Sequence, residues 1–135
     1  MTDAARDLVQ RYYDAFNAQD MDAFLALLSD DVVHDINQGG REQGTAAFAA
    51  FMAKMNRCYR ERIVDLVILT EPSGRRAAAE FTVLGEYLVT DAGLPEARGQ
   101  TYRLPAGAFF EIADGKITRV SNYYNLQDWI DQVRG

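Results

Sequence analysis

Phe109-Phe110-Glu111-Ile112-Ala113-Asp114-Gly115-Lys116-Ile117-Thr118-Arg119-Val120 decides the fold. Two runs rich in β-branched and aromatic residues flank Asp114-Gly115, a dipeptide suited to the two positive-φ positions of a tight hairpin turn. The flanking strands extend over Thr101–Ile112 and Lys116–Tyr124. Upstream, Arg62–Thr70 and Arg75–Val89 are joined by Glu71-Pro72-Ser73-Gly74, a second hairpin signal. The polar stretch between the hairpins carries Gly93, Pro95 and Gly99. Further toward the N-terminus the period changes from two to that of a helix. Leu8, Val9, Tyr12, Tyr13 and Phe16 form one stripe, with Thr2 or Asp3 as its start signal. Asp20 suits the N-cap of a second helix carrying Met21, Phe24, Leu25 and Leu28. A short strand from Val32 to Asn37 leads into the turn Gln38-Gly39-Gly40. A third helix follows Gly44, with Phe48, Phe51, Met52, Met55 and Tyr59 on one stripe. Trp129, Ile130 and Val133 suggest a short closing helix. Three helices followed by a long antiparallel meander make an α+β fold, the helices covering the inner face of a curved sheet. The expected shape is a cone with one open mouth.

The rest of the composition narrows the function. The chain has 135 residues, 48% of them hydrophobic, enough for one domain spanning residues 1–135 with a buried core. It has no internal repeat and no linker. No apolar run approaches the roughly 18 residues of a membrane span, and the polar N-terminus lacks the apolar core of a signal peptide, so a soluble, cytoplasmic protein is expected. A single cysteine, Cys58, forms no internal disulfide and suits a reducing compartment. The net charge of −6, with basic residues scattered in short groups, argues against nucleic acid as a partner. One histidine and one cysteine make no transition-metal set. Gly39-Gly40 lacks the lysine and context of a phosphate loop, so neither metal nor nucleotide cofactor is expected.

Asp35 ends the run Ser29-Asp30-Asp31-Val32-Val33-His34-Asp35. A carboxylate on this strand, facing an apolar hollow, is a proton-transfer group. Its neighbour His34 points to the opposite face of the strand.

Arg11-Tyr12-Tyr13-Asp14-Ala15-Phe16-Asn17 with Asp20, then Asp30-Asp31-Val32-Val33, and Asp114-Gly115-Lys116-Ile117 before Asn122-Tyr123-Tyr124 together resemble the NTF2-like superfamily. Within it the chain is most similar to ketosteroid isomerase and to SnoaL-like polyketide cyclase relatives. The resemblance covers roughly residues 4–130. It implies a cone-shaped fold, a small hydrophobic ligand, a sheet-to-sheet homodimer, and cofactor-independent proton transfer on a carbonyl compound, as in an isomerase or an aldol-type cyclase. Asp35, nine residues before Gly44, matches the family's general base, and Tyr12, eight before Asp20, matches its oxyanion donor. Ala108 and Phe109 stand where a second oxyanion donor is expected. The stretch from the second helix to Asp35 is one residue shorter than in true isomerases.

Alternate residues of a strand share a face. Val120, Asn122 and Tyr124 form one set, which the resemblance points inward, so Asn122 and Tyr124 are candidate ligand contacts. Phe16 and Tyr59 complete the expected aromatic lining. Tyr102, Leu104, Ala106 and Ala108 form another set, with Arg103 on the opposite face. Glu80, among Ala77-Ala78-Ala79 and Phe81, has a raised pKa if it faces inward. Two other functions stay open: a non-catalytic small-molecule-binding domain, and an epoxide-hydrolase-like enzyme using Asp35, Arg103 and Glu80. The latter needs Arg103 turned inward, against its parity.

Overall fold

Helical periodicity at the N-terminus becomes two capped helices in the computed structural model, which describes residues 3–135. In α1 (Ala4–Ala18) the Asp3 carboxylate accepts from the Arg6 amide, satisfying one of the free donors of the first turn; Thr2 lies outside the described residues. Gln19 ends α1 in a left-handed conformation. Asp20 caps α2 (Met21–Ala26) by accepting from the Ala23 amide. α3 (Thr45–Cys58) follows Gly44, whose φ of 99° favours glycine. A fourth helix, α4 (Leu126–Val133), is capped by Asn125 and buries Trp129 and Val133.

The strands are β1 (Leu28–Asp35), β2 (Arg41–Gln43), β3 (Tyr59–Thr70), β4 (Arg76–Tyr87), β5 (Thr101–Ala113) and β6 (Lys116–Tyr124). They form one sheet in the order β2-β1-β6-β5-β4-β3. Asp114 and Gly115, with φ of 52° and 74°, make the tight turn between β5 and β6. Two features differ from the plain meander that the sequence predicts. β2 is an extra three-residue edge strand, and β1 runs parallel to β6 while every other pair is antiparallel. Burial alternates strictly along β4, with Ala77, Ala79, Phe81, Val83, Gly85 and Tyr87 turned toward the helices. The helices lie on that face and bury Leu8, Val9, Tyr12, Tyr13, Phe24, Phe48 and Met52 against it. At roughly 25 cal/mol per Å² of apolar surface, this two-layer burial is the main stabilising term.

Two devices tie the helical layer to the edge of the sheet. Asn17 pairs its side-chain amide with both the N–H and the C=O of Ile63 on edge strand β3. Asp91, in the β4–β5 connection, accepts from the Tyr59 hydroxyl at 2.8 Å and from Lys54 at 3.0 Å. Although burial works against its charge, these partners hold the Asp91 pKa below the usual range.

Candidate functional site

Inward-facing residues that remain half-accessible show where the helices leave the concave sheet face unfilled. They are Phe16 of α1, Phe51 and Met55 of α3, Ala106 of β5, and Asn122 and Tyr124 of β6. Ala106 stands beside Tyr124 and stays half-accessible, whereas Ala108, beside Asn122, is buried. An open depression of about 1100 Å³ lies at the C-terminal end of α1. Asp14 and Asn17 line it from α1, and Glu61, Gly85 and Tyr102 from three adjacent strands.

Glu61 and Tyr102 form the most distinctive pair in that wall. Glu61, Gly85 and Tyr102 are cross-strand neighbours on β3, β4 and β5. Tyr102 lies flat over Gly85 and reaches across β4 to donate its hydroxyl to Glu61 Oε2 at 2.5 Å. Any side chain at position 85 would occupy the space of the tyrosine ring, so glycine is what permits the pair. Burial pushes the Glu61 pKa up, and the hydrogen bond from Tyr102 opposes this in part. Burial, then the charge of Glu61 and the hydrogen bond to it, raises the Tyr102 pKa, so the phenol stays protonated. Burial, then the charges of Glu61 and Asp91, raises that of Tyr124, which couples Tyr124 to the same polar wall. A desolvated carboxyl with a committed phenol partner in a depression is the arrangement of an acid–base group.

His34 also lies on the inner face. It is 2% exposed, stacks on Phe48 with ring centroids 4.1 Å apart, and meets Phe51 edge-on. Burial lowers its pKa to about 4, against the partly compensating charge of Asp35, so the ring is neutral at physiological pH. Asn122 Nδ2 lies 3.4 Å from His34 Nε2.

The expected site residues fall into two groups. Phe16, Asn122 and Tyr124 border the unfilled part of the inner face. Tyr59 is in the core, stacked on Tyr87 and bound to Asp91. Tyr12 is inside as well, packed against Tyr13, Phe24 and Phe110, and burial raises its pKa. The hydroxyl of Tyr13 is buried without a partner.

Asp35 and Glu80 are on the other side of the sheet. Asp35 accepts from Arg41 Nε at 2.5 Å and from Arg119 Nε at 2.8 Å, and Arg119 also binds Glu111 at 3.0 Å. The Arg41 hydrogen bond is the largest influence on its pKa. With Arg119 it outweighs the opposing effect of burial and holds the carboxyl below the usual range. Asp35 therefore does not look into an apolar hollow, and the sheet separates it from Tyr12. His34 pairs with the inward Val120 and takes the inner position, so strand alternation turns Asp35, paired with Ser121, to the outer face. Glu80 is exposed on the outer face, paired with Val67 and Gly107, and does not face inward. Arg103 is outward and exposed, 3.5 Å from Asp65, as its parity requires. Among the described residues no cluster of three His, Cys, Asp or Glu is placed to hold a metal, and no helix is long and apolar enough to cross a membrane.

Glu61 was not among the expected residues. It sits in Arg60-Glu61-Arg62, which reads as a solvated charged group, just before the predicted start of its strand. Because β3 begins at Tyr59, alternation places Tyr59, Glu61 and Ile63 on one face. The signal was there, one turn of the pleat earlier.

Comparisons with known proteins agree with this architecture. The pattern of the SnoaL-like domain matches residues 9–120. A proposed polyketide cyclase from Pseudomonas putida KT2440 is 68% identical and superposes with a TM-score of 0.95, covering 98% of each chain. Another from Xanthomonas campestris pv. campestris is 58% identical, with a TM-score of 0.94 and 96% of each chain covered. An NTF2-like protein from Burkholderia pseudomallei K96243 shares the fold at 17% identity, with a TM-score of 0.82 over 100% of both chains. No curated protein is similar enough to be matched.

Proposed function

This chain belongs to the SnoaL-like domain family, and we propose that it is a cofactor-independent cyclase or isomerase that moves a proton on a small hydrophobic carbonyl compound. The observation that carries this reading is the Glu61 carboxyl, desolvated in the wall of a depression and held by Tyr102 at 2.5 Å. The Glu61 carboxylate takes a proton from the carbon next to the substrate carbonyl. The resulting enolate attacks a second carbonyl of the same molecule in a cyclase, or is reprotonated at another carbon in an isomerase. The acid formed on Glu61 returns the proton to the product oxygen or carbon. Burial raises the Glu61 pKa, so its setting favours the proton-accepting step. Tyr102, freed as Glu61 becomes neutral, is placed to donate to the developing oxyanion. The resemblance to proposed polyketide cyclases supports intramolecular closure as the reaction.

A second copy of the chain completes the proposal. Val67, Leu69, Phe109 and Tyr123 are exposed together on the outer sheet face, an apolar patch that suits sheet-to-sheet pairing. The functional test is turnover of polyketide mimics and β,γ-unsaturated ketones by wild type, Glu61→Gln and Tyr102→Phe. Loss of the acid–base group lowers the rate by about 10²–10⁴-fold. Equal rates for Glu61→Gln and wild type would remove Glu61 from the chemistry.

A further inference from the structure

We infer that Glu42 and His34 lock the orientation of the Asn122 side-chain amide, so that its oxygen faces the ligand and the site selects compounds that present a hydroxyl or enol O–H there. This rests on the reading of the inner face as a small-molecule site. It concerns the inner face around Asn122, which does not line the depression that holds Glu61.

The three residues form a chain across β2, β1 and β6. Glu42 is the cross-strand partner of His34, so the two share the inner face. His34 Nδ1 lies 4.0 Å from Glu42 Oε1. Both atoms are buried and neither has a hydrogen-bond partner, their separation being longer than a hydrogen bond. On the other side of the ring, Nε2 is 3.4 Å from the Asn122 amide. A neutral imidazole carries one N–H and one lone pair, and a carboxylate oxygen only accepts. With the proton on Nδ1, the N–H faces Glu42. With the proton on Nε2, an imidazole lone pair would oppose a carboxylate lone pair, both buried. Charge therefore selects the Nδ1–H form, which leaves Nε2 as an acceptor.

An acceptor at Nε2 in turn fixes Asn122. Its Nδ2 must donate to the ring, so its Oδ1 points away from His34. Among the described residues no donor reaches Oδ1, and Asn122 is half-accessible on the inner face beside Ala108 and Tyr124. Phe48 stacked on the imidazole and Phe51 at its edge keep the ring from turning. An asparagine free to flip would serve a ligand donor or acceptor equally; this one is held as an acceptor. A ligand hydroxyl meets a partner there, whereas a methyl ether at the same position leaves the buried side of the amide unsatisfied.

His34 is the only histidine in the chain, so its tautomer can be read without assignment. Proton–nitrogen correlation spectra of the ring at neutral pH should show Nδ1 protonated and Nε2 bare in wild type. In Glu42→Gln, whose amide can present either N–H or C=O to the ring, the two tautomers should mix. In parallel, binding of 2,6-dihydroxyanthraquinone, whose hydroxyls are free to donate, and of its dimethyl ether is measured by fluorescence. Wild type should favour the dihydroxy compound by about tenfold, the equivalent of one hydrogen bond. Glu42→Gln and Asn122→Ala should bring the two affinities together while keeping the wild-type melting profile. A wild-type ring protonated at Nε2 or on both nitrogens, equal affinity for the two probes, or binding of neither would each overturn the inference. Inactivity of Glu61→Gln is a separate result, and its failure leaves the tautomer measurement intact.

Discussion

Gly85→Ala is a substitution of one methyl group that should inactivate the protein while leaving it folded. A Cβ at position 85 would fall within the space of Tyr102, against Cζ, Cε2 and the hydroxyl oxygen. Ordinary carbon contacts are about 3.5–4.0 Å, so the ring must retreat by about 1 Å or more. Its hydroxyl is 2.5 Å from Glu61 Oε2, and such a retreat stretches the hydrogen bond to or beyond its usual limit. Tyr102 is 5% exposed and meets Trp129 edge-on, so the displaced ring must also disturb that packing. Overpacking of this kind costs about 1–3 kcal/mol, offset in part by the roughly 0.5–1 kcal/mol that alanine gains over glycine in a strand. Misplacement of a reacting group by about 1 Å costs on the order of 10²-fold in rate. Urea denaturation and turnover of a polyketide mimic, measured on the same preparation, give both numbers. The double variant Gly85→Ala/Tyr102→Ala removes the clash but leaves a cavity beside Trp129, so it should recover neither stability nor activity. Wild-type turnover in Gly85→Ala would refute the account, because it would mean that the tyrosine's path over β4 has no part in the site.

Three further outcomes follow from the placement of charge and apolar surface. Asp35→Asn should lower stability by about 1–3 kcal/mol and leave turnover nearly unchanged, since it loosens the Arg41–Asp35–Arg119 network on the face away from the site. Because the folded pKa of Asp35 is depressed, its stabilisation is present above the unfolded value of about 4 and lost as pH falls through the folded one; urea midpoints across acid pH would show the difference between variant and wild type narrowing. Glu61→Gln should be more stable than wild type at neutral pH, because the folded pKa of Glu61 is raised and folding there must desolvate a charge that glutamine lacks; thermal melts that show a loss instead would contradict the assigned burial. Phe109→Glu should convert a dimer into monomers in light scattering, and a wild type that is already monomeric would sink the proposed pairing of outer faces.

The hairpin at Asp114-Gly115 and the caps Asp3 and Asp20 were legible because each is a local rule with a local signature. β2 was not, being three residues long and too short for any period. The parallel pairing of β1 with β6 depends on a contact between residues more than eighty positions apart, which no local pattern encodes. Strand parity placed Arg103 outward, and Asn122 and Tyr124 inward. It failed at the ends of strands. The facing of Asp35 is not legible locally, because β1 carries a register irregularity between Leu28 and Val33. Glu61 was missed because its strand starts three residues earlier than the apolar alternation suggests. One error concerns the facing of a strand and the other its starting point, and in a sheet a change of facing is the difference between solvent and site.

The most direct test of the central claim needs no substrate. Infrared difference spectra between wild type and Glu61→Gln, followed through pH, isolate the titration of the Glu61 carboxyl. The account predicts that this carboxyl holds its proton above the usual carboxylate range, and that the titration moves further upward when Tyr102→Phe removes the hydrogen bond that stabilises its charged form. Titration at or below an ordinary glutamate value, unmoved by Tyr102→Phe, would contradict it.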